Sequence, residues 1–169
     1  MGKELSDAEK RQQLAKLMSE FRTAMLVTRT DDGHMRARPL SIAGSGEGGA
    51  LYFSTAVESP KVHELDVDPH VNVVMQDGRR FVSLSGVASV VSDRALIDQL
   101  WSESWKVWFP RGKDDPSLRI VAVDPVEAAY WDMSGTAGIK YVFEIAKAYV
   151  TGKRPDADDD QRHTARFKL

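Results

Sequence analysis

Two stretches of this chain carry residue types that could do chemistry: Arg36-Ala37-Arg38-Pro39-Leu40 and Phe53-Ser54-Thr55-Ala56-Val57-Glu58-Ser59-Pro60-Lys61. The second reads as a buried strand running into a short helix, with hydroxyls and an ammonium at the junction. Ser59 suits the N-cap, Pro60 the first helical position and Lys61 the first turn. A helix N-terminus presents unpaired N–H groups and a positive dipole end, which favours an anion. Thr55 and Lys61 could then grip a phosphate together. The plainer reading is a capped helix, since Ser-Pro at a helix start is common. In the first stretch, strand alternation puts Arg36 and Arg38 on one face, where like charges repel unless an anion or an acid lies between them. The plainer reading there is a solvated edge strand.

Other candidates give less. His34, His63, His70 and His163 show no ligand spacing, and no metal site is assigned. Gly44-x-Gly46 precedes no helix start, and no Gly-x-Ser-x-Gly elbow is present, so neither a dinucleotide fingerprint nor a hydrolase nucleophile is indicated. Asp114-Asp115 reads as a solvated turn. Trp101, Trp105 and Trp108 recur at helical spacing, which indicates packing. Trp131 serves equally as core filler or as a wall for a planar ring. No residue stands out as a catalytic acid or base.

The elements that must position these groups follow from periodicity. A helix is predicted from about Asp7 to Phe21, with a Ser6/Glu9 capping box and an apolar stripe of Leu14, Leu17, Met18 and Phe21. Strands follow at Ala24–Thr28, Met35–Ala43, Ala50–Thr55, Val71–Met75 and Phe81–Val91, with Asp-Gly turn chemistry at Asp32-Gly33 and Asp77-Gly78. Ser83, Ser85 and Gly86 mark a bend where something approaches the backbone. A helix starting at Ser92 or Asp93 leads to a loop through Pro116. Two strands, Leu118–Val123 and Val126–Asp132, are split by Asp124-Pro125, and Tyr141–Tyr149 reads as helical. Residues 1–152 form one domain, and 153–169 are expected to be a polar, flexible tail. Hairpin-linked strands without strand–helix alternation, with helices at ends and corners, indicate a mainly β antiparallel barrel or an α+β fold.

Composition narrows the function. The chain has 169 residues, 42% hydrophobic, with a formal net charge of −2, so no overall field draws it to nucleic acid or to a membrane surface. It contains no cysteine, which excludes thiolate catalysis and cysteine-based metal sites. The expected location is the cytoplasm.

Together, Met35-Arg36-Ala37-Arg38-Pro39-Leu40, Leu51-Tyr52-Phe53-Ser54-Thr55 with Ser59-x-Lys61, Phe81 to Gly86, Trp108-Phe109-Pro110-x-Gly112-x-Asp114-Asp115-Pro116 and Tyr130-Trp131-Asp132 resemble the FMN-binding split-barrel family of pyridoxamine 5'-phosphate oxidase, in its bacterial general stress protein branch. The resemblance spans about Leu14 to Val150. It implies a six-stranded antiparallel Greek-key split barrel with flanking helices. It also implies a homodimer with FMN, or alternatively FAD, where the subunits meet. Carried over by position, Thr55, Ser59 and Lys61 would hold the phosphate, with Arg36 or Arg38 adding charge, and Ser54 would also bind the cofactor. Pro39 and Leu40 would run along the ring edge, Ser83 and Ser85 would face the cofactor, and Trp131 would reach it from the other subunit. The implied function is a flavin-dependent oxidoreductase of a stress response. The alternatives are pyridoxamine 5'-phosphate oxidation, or a non-catalytic flavin-binding or sensor module. The Met133 to Gly138 segment after Trp131-Asp132 departs from the pattern of the oxidases.

Overall fold

The computed structural model describes residues 5–152 and 164–169. Helix α1 (Asp7–Ser19) begins at a complete capping box: Ser6 accepts from the Glu9 backbone N–H, and Glu9 accepts from the Ser6 backbone. Its buried stripe of Leu14, Leu17 and Met18, with Phe21 just beyond, enters the main core.

Eight strands form one antiparallel sheet: β1 (Thr23–Arg29), β2 (Met35–Ser41), β3 (Gly44–Ser45), β4 (Leu51–Ala56), β5 (His70–Asp77), β6 (Arg80–Val91), β7 (Leu118–Asp132) and β8 (Thr164–Lys168). Their order is β2-β1-β5-β6-β7-β4-β3, with β8 pairing along the second half of β7. The sheet curls until β2 comes beside β4, which makes it a split barrel. Period-two alternation fills the inside: Leu26, Phe53, Val73, Met75, Val82, Leu84, Val121 and Tyr130 are fully buried. A smaller second core lies outside β4 and β7, where Ile97 of α3 (Arg94–Leu100), Trp105 and Phe109 meet Leu118 and Ile120.

Helix α2 (Pro60–Val67) is clamped onto the β1–β2 hairpin. His63 lies 3.0 Å from Asp31 in the turn, and Arg29 lies 3.3 Å from Asp68. Helix α4 (Gly135–Thr151) follows β7.

The structure revises several expectations. Among the described residues there are eight strands, where the resemblance implied six. The segments on either side of Asp124-Pro125 are one strand, β7, which pairs continuously with β6 through a bulge: Ser85 faces Glu127 and Gly86 faces Pro125, leaving Val126 as the extra residue. What approaches Gly86 is thus the β7 backbone; a Cβ there would lie 2.4 Å from the Asp124 carbonyl oxygen. The expected tail ends in β8, whose Ala165 and Phe167 are buried in the main core; residues 153–163 lie outside the described part, His163 among them. Asp115 is buried rather than solvated, accepting from the Ser117 backbone N–H and hydroxyl at 3.0 and 2.8 Å. Of the three spaced tryptophans, Trp101 and Trp105 meet edge to face at 5.6 Å, while Trp108 is exposed.

Candidate functional site

The corner between β4 and α2 gathers the hydroxyls and the ammonium. Thr55 is the last inward-facing residue of β4 and is buried; Ser59 occupies the α2 N-cap position, with Pro60 next. Lys61 folds back so that its Nζ donates to Thr55 Oγ1 at 3.0 Å and to Ser59 Oγ at 2.6 Å. Ser59 makes no side-chain capping bond. A side-chain cap requires the hydroxyl to accept from the first-turn backbone, whereas here it is turned to the ammonium, and the Val62 N–H donates to the Ser59 carbonyl at 2.9 Å instead. Among the described residues, the hydrogen-bond partners of Lys61 are those two neutral hydroxyls. Burial pushes the Lys61 pKa below its usual value, and the Arg38 charge adds to this against the pull of Glu64.

Behind this corner stands a buried carboxylate that sequence reading missed. Glu64, one turn further along α2, takes Arg36 Nη1 on Oε1 and Arg38 Nη2 on Oε2, both at 2.6 Å. Thr28 donates its hydroxyl to Glu64 Oε2 at 2.5 Å and accepts from Arg38 Nη1 at 2.7 Å. The Glu64 side chain is 5% exposed, Arg38 17% and Arg36 54%. Burial alone would raise the Glu64 pKa, but the bonds from Thr28 and Arg38 and the two guanidinium charges outweigh it and hold it below the usual range. The acid between the arginines is therefore Glu64, and Arg38 is committed to it. Arg36 keeps most of its donors free at the surface. Three cations against one carboxylate leave this corner with two positive charges, which match a phosphate monoester near −2. The donor set fits such a group.

The remaining predicted residues divide by face. Leu40 shares the inward face of β2 with Arg36 and Arg38 and packs against the main core, while Pro39 points outward. Ser54 lies on the face of β4 opposite Thr55, between Tyr52 and Ala56, which pack on the smaller core. Ser83 and Ser85 lie on the outer sheet face, where Asn72 Nδ2 donates to their hydroxyls at 3.1 and 3.2 Å. Trp131 is on that face too, opposite Phe81, and 42% exposed. Within one chain, then, the structure brings together Arg36, Arg38, Thr55, Ser59 and Lys61, and leaves Pro39, Ser83, Ser85 and Trp131 on the other side of the sheet. Thr28 and Glu64 could have been suspected only from the need for an acid between the arginines.

The family model described as "Pyridoxamine 5'-phosphate oxidase like" matches residues 9–156. Protein bli-3 of Neurospora crassa is 30% identical over 152 residues, 83% of this chain and 72% of the relative. General stress protein 26 of Bacillus subtilis is 31% identical over 84 residues, 47% of this chain and 59% of the relative. Among solved structures, the general stress FMN/FAD binding protein of Xanthomonas citri superposes with a TM-score of 0.65 at 28% identity, covering 76% of this chain and 92% of that one.

Proposed function

The chain belongs to the pyridoxamine 5'-phosphate oxidase-like family, and from that premise we propose that it is a flavin-binding protein of a general stress response, holding FMN in a homodimer and acting as an oxidoreductase. The observation that carries this reading is the Lys61 ammonium, partly buried and bound by Thr55 and Ser59 at the start of α2, where the Ser59 hydroxyl makes no capping bond. Desolvating an ammonium against neutral hydroxyls is costly, and a phosphate would offset that cost. Thr55, Ser59, Lys61 and the free edge of Arg36 would hold it. Glu64 and Thr28 would fix Arg38 behind them. Leu40 would give the ring an apolar neighbour. FAD is the alternative ligand, since the Xanthomonas citri protein is an FMN/FAD binding protein.

Support for the dimer comes from the outer sheet face. It exposes Met25, Phe81 and Trp131 side by side with Pro39, Ser83 and Ser85, an apolar surface of the kind that marks an interface. A second copy seated there would bring Trp131 and the two serines to a flavin whose phosphate is held by the first chain. When bound, the flavin supplies the hydride or electron transfer, and the protein supplies orientation and exclusion of water.

The test is titration of FMN into the purified chain, followed by flavin absorbance, in the wild type and in the Thr55→Ala/Lys61→Ala double variant. The wild type is expected to saturate, and the variant to lose about 100-fold or more in affinity from two lost charge-assisted contacts. Full flavin occupancy in the variant would overturn the phosphate assignment.

A further inference from the structure

A cavity of about 640 Å³ lies away from this corner, between α1 and the Gly44–Gly49 loop. It sits at the other end of β4: Leu51 lines it, whereas Thr55 belongs to the phosphate corner. Its volume is that of a small-molecule site. Leu14, Met18, Phe21, Ile42 and Leu51 give it an apolar floor, and Arg11 and Arg22 line it as well. Arg11 is midway along α1 and Arg22 just past its C-terminus, so the crevice is on the order of 15 Å long.

Neither arginine is neutralised. The Arg11 guanidinium has one long bond of 3.5 Å to the Lys168 carbonyl, and no carboxylate among the described residues pairs with either side chain. The opposite wall is built tight: a Cβ on Gly44 would lie 2.5 Å from Leu100 Cδ2, and one on Gly46 2.5 Å from the Tyr52 hydroxyl. The loop backbone is thus pressed onto its own support, and the crevice is preformed on that side.

From this combination we infer a second binding site, for an elongated carboxylate with an apolar body, an acyl or aryl acid. The apolar floor takes the body, and an arginine fork takes the head. The proposal is independent of flavin binding.

Calorimetric titration with decanoate, decanol and acetate tests it. Decanoate is expected to bind at least about tenfold more tightly than decanol, which lacks the charge, and than acetate, which lacks the body. In the Arg11→Ala/Arg22→Ala double variant decanoate should fall to the level of decanol, while the FMN titration is unchanged. Ala15→Trp, which fills the crevice from α1, should abolish decanoate binding with an unchanged circular dichroism spectrum. Equal affinity for decanoate and decanol, retention of decanoate by the double arginine variant, or displacement of FMN by decanoate would each overturn the assignment.

Discussion

Glu64 spends both carboxylate oxygens on guanidiniums, so its removal leaves Arg38 in a nearly closed position without a counter-charge. Glu64→Ala is expected to cost about 3 kcal/mol, the order found when one partner of a buried pair is deleted, read as a shift of the urea midpoint at constant slope. Acid should act on the same bond. The native pKa of Glu64 lies below its unfolded value of 4.5, so its stabilisation is fully present above that value and fades as pH falls through the native one. Urea midpoints across that window should therefore drop more steeply in the wild type than in Glu64→Gln; parallel curves would contradict the assignment. At this scale the sequence was half legible. The Arg36/Arg38 spacing called for an acid or an anion between them, but Glu64 stands 28 and 26 residues away along the chain. Pairings at that separation are set by how α2 folds back over the hairpin, which no local pattern records. Ser59 was placed correctly in the helix, yet which atom its hydroxyl serves depends on the Lys61 rotamer.

Strand β7 shows why element boundaries mislead. Asp124-Pro125 has the chemistry of a strand break, because proline cannot donate to a ladder. The break is absorbed by the bulge at Val126, made possible opposite by a residue without a side chain. Gly86→Ala would set a methyl against the Asp124 carbonyl oxygen at 2.4 Å and is expected to destabilise by about 1–3 kcal/mol. Ser89→Ala, exposed on the same strand, should stay within about 0.5 kcal/mol. Chemical denaturation of the two variants side by side checks this, and similar midpoints would count against the tight crossing. β8 escaped notice for a different reason. Its alternation rests on Ala165 and Phe167 alone, and their burial, with the edge-to-face contact of Phe167 with Tyr130 at 6.3 Å, marks the inward face.

At the scale of the whole molecule, the apolar outer face is the surface through which the proposed dimer would complete the site. Sequence reading reached the barrel because hairpin turns and alternation are local, and it named residues of both faces without being able to sort them. The sorting has a consequence for assembly: if a second copy covers the outer face, Trp131 acts in trans. Trp131→Ala should then weaken FMN binding by about tenfold, the loss expected of an aromatic ring contact, and in mixed dimers the defect should appear in the site of the opposite chain. A solution mass of one subunit, or a defect confined to the variant chain's own site, would refute it. The strand order holds one more implication. β1, β2, β5 and β6 can pair with one another early, but β4 finds its long partner only in β7, Ala56 opposite Leu118. On the ribosome, at roughly 5–20 residues per second, Leu51 and Phe53 must wait several seconds, greasy and unmated. The strand that ends in Thr55 is therefore one that a nascent-chain chaperone has cause to shield, since its open edge closes only once β7 has emerged.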